Sequence, residues 1–193
     1  MSQVDKEKLK TVFLRKRKTL TEEEFERRNA QIFYHVSMLL EEHEPSLVHT
    51  FLPIEKQKEV DTWIILKYLK AMGKIVVLPK SAQDTNDMSH FVFQHKKQLK
   101  KNSWGIWEPA EGVEIKSEEI DLVFIPLVIF DKAGYRIGYG KGYYDKFLSQ
   151  CREDCIKVGL SLLNPIDKIE YVEPHDLRMD YCVSPIGVHD FRK

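Results

Sequence analysis

Apolar residues recur at helical intervals along the first 44 residues, in a segment that is otherwise charged and contains no proline. This spacing predicts two helices, because apolar positions three and four apart share one face of a helix. Thr21 followed by Glu24 has the spacing of a capping box, so the second helix should begin there, and Pro45 should end it. We therefore expect a helical N-terminal segment, residues 1–44, packed on the rest of the chain.

Beyond Pro45, short apolar runs alternate with longer amphipathic ones, as strands and helices alternate around a mostly parallel sheet. The predicted strands are Ser46–Leu52, Ile75–Leu78, His90–Gln94, Ile120–Ile125, Lys157–Leu160 and one more before Val188. The predicted helices are Val60–Met72 and Tyr143–Cys151. Ile120–Ile125 is nearly continuous in β-branched and aromatic residues, which predicts a central strand covered on both faces. The pattern favours a single α/β domain over residues 1–193.

Two segments outside these elements stand out. Trp104–Gly112 is rich in Gly, Pro and Trp, and we expect an ordered loop there. The run VLPK places Lys80 just past a predicted strand end, where open α/β sheets collect their ligand groups. Both segments are therefore candidates for the rim of a binding site.

Charge and cysteine content narrow the class of protein. Thirty Lys and Arg balance thirty Asp and Glu, so the average charge does not attract nucleic acid or an acidic membrane surface. Cys151, Cys155 and Cys182 lack paired metal spacing, which argues against a disulfide framework or a zinc module. The N-terminus begins with charge, and no apolar run is long enough to span a membrane. We expect a cytoplasmic protein with reduced thiols.

The densest candidate chemistry lies in Asp131–Asp145, DKAGYRIGYGKGYYD, which contains four glycines and the cations Arg136 and Lys141. Glycine lets backbone N–H groups approach an anion closely, so alternate glycines before a helix predict a phosphate cradle. Asp145, at the start of that helix, suits Mg²⁺, which takes one or two carboxylates together with phosphate oxygens. A plain flexible turn, with Asp145 stabilising the helix N-terminus, is the alternative.

The stretch RIGYGKGYYD, preceded by FD and AG, resembles the signature of the 5-formyltetrahydrofolate cyclo-ligase family, also called methenyltetrahydrofolate synthetase. The likeness covers most of the chain in the same order: a Lys-rich first helix, FLPI, VLPK, WGIWEP, DLVFIPLVIFD and PHDLRMD. It implies a ligase of one-carbon metabolism that converts 5-formyltetrahydrofolate to 5,10-methenyltetrahydrofolate. It also implies ATP as co-substrate, Mg²⁺ as cofactor, and a phosphorylated formyl intermediate with release of ADP and phosphate.

For the nucleotide, the resemblance implies contacts from the first helix and from the glycine loop. Lys6 and Lys10 match the helix pattern, although Lys10 replaces the family's usual arginine and loses its bidentate fork. The implied loop contacts are Arg136, Ile137, Gly138, Tyr139, Gly140, Lys141, Gly142, Tyr143 and Tyr144. Arg136, Lys141 and Tyr143 are also the implied catalytic residues.

For the metal, the resemblance implies Asp145 and Asp176, which are far apart in sequence and must be brought together by the fold. Asp180 either serves the same ion or braces it. His175 attracts notice because it precedes Asp176 directly, where it could support that ligand.

For the folate, the resemblance implies Leu52 and Glu59, together with Gly140, Lys141, Gly142 and Tyr143 of the loop. Extra residues between Pro53 and Glu59 leave Glu55 and Asp61 as competing acidic candidates. Trp104 and Trp107 can pack against the folate ring or within their own loop.

Two rival functions remain open. The implied three-layer architecture also resembles sugar-phosphate isomerases and CoA transferases, so fold alone does not exclude a phosphate-bearing sugar or a thioester. A basic helix over residues 6–18 with a Tyr-Gly loop is compatible with a nucleic-acid-binding module, but the helix carries apolar residues and the chain is neutral. We expect a monomer that binds reduced folate and ATP, and neither nucleic acid nor a membrane.

Overall fold

Short strands and helices alternate along the chain in a computed structural model, which describes residues 3–82, 85–170, 172–173 and 176–192. The helices are α1 (Gln3–Lys18), α2 (Glu22–His43), α3 (Thr62–Ala71) and α4 (Tyr143–Leu148). The strands are β1 (Leu47–His49), β2 (Ile75–Ser81), β3 (Met88–Val92), β4 (Leu99–Lys101), β5 (Trp107–Pro109), β6 (Glu114–Ile115), β7 (Leu122–Pro126), β8 (Ile129–Phe130), β9 (Arg136–Ile137), β10 (Ile156–Leu160), β11 (Tyr181–Ser184) and β12 (Gly187–Asp190). Among these described helices, none has both the length and the apolar character to cross a membrane.

Eight strands form the central sheet in the order β12-β11-β10-β7-β1-β2-β3-β6. The strands β11, β10, β7, β1 and β2 are parallel, whereas β12, β3 and β6 pair antiparallel at the two sides. The carboxyl ends of parallel strands meet at one edge, so the residues that follow β1 and β7 come together there. The predicted mostly parallel sheet is confirmed.

Helices cover both faces of this sheet, and side-chain alternation along β7 explains how. Leu122 and Phe124 are buried in one core with α2 and α3, and Val123 and Ile125 are buried in a second core with α4. A strand that is apolar on both faces is stable only when both faces are covered. The three cysteines are free thiols, two of them buried in the second core. The predicted three-layer α/β arrangement is confirmed.

The two N-terminal helices pack in different places. α2 begins after Thr21, whose hydroxyl accepts a hydrogen bond from the Glu24 amide at 3.2 Å, and it ends at Glu44 with a left-handed φ of 45°. This start and stop agree with the predicted cap and with Pro45. α1 instead packs Leu9 and Phe13 against the cluster around the β8–β9 ribbon. α1 therefore lies beside the glycine segment that follows this ribbon.

Several predicted bounds differ from the structure: β1 ends at His49 and α4 at Leu148, each three residues early, and β3 spans Met88–Val92 instead of residues 90–94. Three further differences share one cause. β2 continues to Ser81, beyond the predicted end at Leu78, because antiparallel pairing with β3 extends it. Part of Trp104–Gly112 is regular after all, since β5 pairs with β4 in a two-stranded ribbon. The tail forms a hairpin of two strands, β11 and β12, where one strand was predicted. In each case the decisive hydrogen bonds come from a partner strand, which local composition does not reveal.

Candidate functional site

A cleft of about 780 Å³ opens at the carboxyl edge of the parallel strands. Leu52 after β1, Ser81 at the end of β2 and Pro126 at the end of β7 are among its lining residues. A volume of this size suits a small-molecule ligand. The cleft also brings together residues that the sequence named separately: Lys6, Lys10, Leu52, Glu59, Trp104, the loop 136–144, Asp145 and Asp176.

The glycine loop lies against α1. Gly140 and Gly142 have positive φ angles of 89° and 70°, which residues with a side chain rarely adopt. A Cβ added to Gly140 would lie 3.4 Å from Lys10 Nζ and 3.7 Å from Glu7 Oε1. Lys10 is itself paired with Glu7 at 2.7 Å. The loop backbone therefore passes directly beside a Lys–Glu ion pair of α1, so a lysine lies next to the predicted phosphate cradle.

Lys141 lies at the mouth of the cleft on an aromatic surface. Its Nζ lies 3.7 Å from the centroid of the Trp104 ring, and the Tyr143 ring lies edge-on to the same tryptophan at 6.5 Å. The Tyr143 hydroxyl donates to the Ala82 carbonyl at 2.8 Å. An exposed cation–π contact stabilises by only about 0.5–1 kcal/mol. Lys141 can therefore exchange this contact for an anion at small energetic cost.

Arg136 links two acidic regions of the cleft. Its Nη2 donates to Asp145 Oδ1 at 2.6 Å, and its Nη1 donates to the Leu177 carbonyl at 2.7 Å. The neighbouring Asp176 accepts a hydrogen bond from Lys6 Nζ at 3.0 Å. Each carboxylate is therefore paired with a cation, and the Arg136 side chain ties α4 to the segment after residue 175.

The two predicted metal ligands, Asp145 and Asp176, both line the cleft. Within residues 3–82, 85–170, 172–173 and 176–192, no group of three or more His, Cys, Asp or Glu side chains is arranged to hold a metal ion. Two carboxylates fit a Mg²⁺ ion that takes its other ligands from phosphates and water, and do not fit a metal held by protein alone. Asp180 does not line the cleft, since it accepts a hydrogen bond from the Lys157 amide at 2.7 Å and braces β10. His175 lies outside the described residues.

Glu59 also lines the cleft, where it is buried in a hydrogen-bonded network. Its Oε1 accepts from the Tyr139 hydroxyl and its Oε2 from the Ile54 amide, both at 2.6 Å. Arg17, only 3% exposed, donates to the Tyr139 hydroxyl oxygen at 2.6 Å. Burial raises the pKa of Glu59, while the two hydrogen bonds and the charge of Arg17 oppose that shift. The network thus favours a Glu59 that accepts hydrogen bonds.

The structure separates Glu59 from its two competitors. Glu55 is exposed on a short 3₁₀ turn over residues 55–57, and Asp61 caps α3 by accepting from the Trp63 amide at 3.0 Å. Neither residue lines the cleft, and neither does Lys80, whose Nζ donates to a backbone carbonyl at 3.1 Å. Of the three acidic candidates, only Glu59 faces a ligand-sized space.

Sequence reasoning missed several polar residues of this region, of which Glu108 and Arg17 are buried. Glu108, in the WGIWEP stretch, is 8% exposed, lines the cleft and accepts from the Ser81 amide at 3.1 Å. Arg17 lies four residues after Phe13 and eight after Leu9, so it shares the buried face of α1. That helical register was the signal that distinguishes Arg17 from the exposed cations around it.

A second buried polar group lies behind α4. His49 of β1 and His90 of β3 have ring centroids 5.1 Å apart, and both pack on Phe147. No ring nitrogen of either histidine has a hydrogen-bond partner among the described residues. Burial lowers the pKa of both histidines, to about 4 for His90. Both rings are therefore neutral near pH 7 and pack as apolar groups beneath the helix that follows the glycine loop.

Known proteins resemble this chain in sequence and in fold. A model described as the 5-formyltetrahydrofolate cyclo-ligase family matches residues 2–185. A 5-formyltetrahydrofolate cyclo-ligase from Mus musculus is 33% identical over 139 residues, which cover 66% of this chain and 68% of that protein. One from Haemophilus influenzae is 28% identical over 165 residues, or 83% of this chain and 87% of that protein. The NMR structure of Aquifex aeolicus 5,10-methenyltetrahydrofolate synthetase has a TM-score of 0.84 at 30% identity, covering 97% of this chain and 93% of that one.

Proposed function

The chain belongs to the 5-formyltetrahydrofolate cyclo-ligase family, and we propose that it uses ATP to convert 5-formyltetrahydrofolate to 5,10-methenyltetrahydrofolate, with release of ADP and phosphate. One observation carries this proposal. A glycine loop with cations and a buried carboxylate line the same cleft, and Tyr139 of the loop reaches that carboxylate, so a phosphate donor and a ligand rich in N–H groups can bind side by side.

The chemistry requires the formyl oxygen to become a leaving group. In the proposed first step, the oxygen of the N5-formyl group attacks the γ-phosphorus of ATP, and the bond from that phosphorus to ADP breaks. N10 then attacks the formyl carbon and loses its proton, and the carbon–oxygen bond breaks as phosphate departs with the former formyl oxygen. Phosphorylation divides one difficult displacement into two easier ones, because an amide oxygen alone is a poor leaving group.

At the nucleotide end, the residues best placed to act on phosphate are cationic or are backbone amides. Lys141 and Arg136 would neutralise charge that develops on the transferred phosphoryl group, and the backbone of Gly138–Gly142 would orient its oxygens. Lys6 and Lys10 add the charge of α1 beside the loop. Mg²⁺, when held by the two aspartates that Arg136 and Lys6 contact, would supply further positive charge to the phosphates.

At the folate end, the proposed contacts are a carboxylate and apolar surfaces. Glu59 would accept hydrogen bonds from N–H groups of the reduced pterin ring, which an ionised, buried carboxylate does strongly. Leu52, which is only 4% exposed, and the half-exposed Trp104 would pack against the faces of the pterin ring. Tyr143, next to Trp104, would donate a hydrogen bond at the junction between the formyl group and the phosphate.

The test is an optical assay at the methenyl-folate absorption band. Protein mixed with 5-formyltetrahydrofolate, Mg²⁺ and ATP should raise this absorbance, and omission of ATP or addition of EDTA should abolish the rise. Asp145→Ala should be inactive, because it removes a proposed metal ligand and the partner of Arg136. Asp154→Ala breaks a comparable Arg–Asp pair at the exposed Arg152 and should remain active. Folded protein that produces no ATP-dependent rise would refute the proposed function.

A further inference from the structure

The side chain of Tyr139 faces the Glu59 end of the cleft, although its backbone belongs to the glycine loop. Its neighbours Gly138 and Gly140 line the nucleotide end, and its hydroxyl reaches Glu59 Oε1 at 2.6 Å. Sequence similarity had grouped Tyr139 with the nucleotide contacts. Its hydrogen bond places its side chain instead with the carboxylate proposed to bind folate.

Arg17 fixes the direction of this hydrogen bond. Its guanidinium donates to three oxygens: the Gln57 carbonyl at 2.8 Å, the Leu127 carbonyl at 3.0 Å and the Tyr139 hydroxyl at 2.6 Å. Arginine has donors only, so the Tyr139 oxygen must accept from Arg17 and direct its own hydrogen at Glu59. The three acceptors lie around one planar fork, a geometry that lysine cannot reproduce.

The result is a Glu59 that is held as an acceptor. Each carboxylate oxygen accepts one hydrogen bond from the protein, whereas a carboxylate offers about four acceptor positions. The remaining positions are available to N–H groups of a ligand. Other titratable groups here are Tyr139, whose pKa burial raises, and Tyr144, whose pKa is raised by burial and then by the charge of Glu59. Both phenols therefore stay protonated, and Arg17 supplies the compensating positive charge.

We propose that Arg17 and Tyr139 are positioning residues, which orient Glu59 as an acceptor for the N–H groups of the folate substrate. This inference rests on the proposed function and adds to it the residues that orient the Glu59 carboxylate. It also assigns the Tyr139 side chain to the folate end of the reaction. Tyr139 and Arg17 act through Glu59 and need not touch the substrate themselves.

Kinetics of Tyr139→Phe and Arg17→Lys, with each substrate varied in turn, test this inference. Each variant should raise the KM for 5-formyltetrahydrofolate about tenfold, the size expected for one hydrogen bond to a charged group. The KM for ATP should stay within about twofold. The acid limb of kcat/KM for the folate should move to higher pH, because the bond from Tyr139 lowers the pKa of Glu59. The double variant should have a KM for 5-formyltetrahydrofolate no higher than that of the more affected single variant, since both residues act through one contact.

Two matched controls remove comparable interactions outside the cleft. Tyr181→Phe removes a buried hydroxyl that lies 2.9 Å from His43 Nε2. Arg28→Lys disrupts a guanidinium that bridges the Glu24 carboxylate and the Leu162 carbonyl. Both controls should change thermal unfolding only, with both KM values and the pH profile unchanged.

The outcomes separate this inference from the function on which it rests. Wild-type protein without ATP-dependent activity would refute the proposed function. If the wild type is active, the inference alone is refuted by a Tyr139→Phe variant that raises only the KM for ATP. It is also refuted by one that leaves both KM values and the pH profile unchanged. If Arg17→Lys does not fold, Tyr139→Phe decides, because it removes a single oxygen atom and keeps the ring.

Discussion

At the Glu59 end of the cleft, the carboxylate and Arg17 are buried and both oxygens of Glu59 are hydrogen-bonded. At the Gly140 end, Gly140 and Lys141 are exposed, and Lys141 rests on an indole ring. The first end is ordered by folding itself, since a buried charge without partners would be strongly destabilising. The second end keeps cations near the surface, where they can rearrange around an incoming phosphate.

This difference indicates that the two ends have different roles in the proposed reaction. A pre-oriented acceptor gives selectivity, because a ligand that lacks the matching N–H groups leaves a buried carboxylate unsatisfied. An exposed cationic loop gives electrostatic stabilisation only when the phosphoryl group is present. We therefore expect substitutions at the Glu59 end to act on folate binding, and substitutions at the Gly140 end to act on turnover.

Among substitutions that compare the two ends, removal of the Lys141 cation should have the largest effect. Lys141→Ala is expected to lower kcat about 100- to 1,000-fold, the size found when a group that stabilises transition-state charge is removed. The melting temperature should hardly change, because the contact with Trp104 is exposed. Lys101→Ala removes a similar cation, 5.0 Å from the Trp107 ring, and should keep wild-type kcat. Equal losses in both variants would mean that the Gly140 end has no special role.

Neutralisation of Glu59 should have the next largest effect, and it should appear in folate binding. Glu59→Gln is expected to raise the KM for 5-formyltetrahydrofolate about 30-fold, because hydrogen bonds to a charged group contribute about 1.5–3 kcal/mol. Glu55→Gln, at the exposed competitor nearby, should behave as wild type in the same steady-state assay. A rise in the KM for ATP in Glu59→Gln would break the division between the two ends.

The pH dependence of the same pair sharpens the test. Burial raises the pKa of Glu59 above its ordinary value of 4.5, so the ionised acceptor is lost when pH falls through this raised pKa. kcat/KM for the folate should therefore decline in acid for wild type and for Glu55→Gln. The profile of Glu59→Gln should lack that limb.

Acid should also lower the free energy of unfolding, because the buried pair His49 and His90 beneath α4 must then take up protons. A group with a lowered pKa contributes stability that is present above its unfolded pKa and lost as pH falls toward its folded pKa. For His90, a shift from 6.5 to about 4 corresponds to a loss of about 2 kcal/mol by pH 5. His90→Leu should remove this part of the loss in urea unfolding, whereas His95→Leu, at an exposed histidine, should retain it. Identical pH dependence in the two variants would contradict this origin of the effect.

The smallest effect should come from the aromatic surface under Lys141. Trp104→Leu is expected to lower kcat/KM about fivefold, because an exposed cation–π contact contributes about 1 kcal/mol at most. Trp63→Leu, which removes a ring that lies 5.1 Å from Lys96 Nζ on another surface, should leave kcat/KM unchanged. A loss as large as that of Lys141→Ala would show that leucine cannot replace the contacts of the Trp104 ring with Lys141 and with the folate.

The same contrast between local and distant interactions explains what the sequence predicts. α2 is set by its own cap at Thr21 and its own apolar stripe, so its start and stop are readable. The glycine loop is likewise readable, because its glycines and cations are contiguous. β5 and the end of β2 depend on partner strands, which are chosen by the fold as a whole.

The buried network was only partly readable for the same reason. Glu59 could not be separated from Glu55 and Asp61, because the extra residues before it form a 3₁₀ turn closed by Lys58 at a positive φ of 45°. Because of this 3₁₀ turn, Glu55 is exposed to solvent and Glu59 is buried. Arg17 meets Tyr139 across more than 120 positions of sequence, and no local pattern pairs them.

In the proposed reaction, a folate held at the Glu59 end presents its formyl oxygen to the γ-phosphate of ATP held at the Gly140 end. Reaction of 5-formyltetrahydrofolate labelled with ¹⁸O in its formyl group, with unlabelled ATP in unlabelled water, shows whether this oxygen is transferred to phosphate. Mass spectrometry of the phosphate released in the first turnovers should find one ¹⁸O atom per phosphate, because the carbon–oxygen bond breaks and the phosphorus–oxygen bond remains. Unlabelled phosphate, formed together with methenyl product, would show that the formyl oxygen is not transferred to the γ-phosphate and would refute the phosphorylated intermediate.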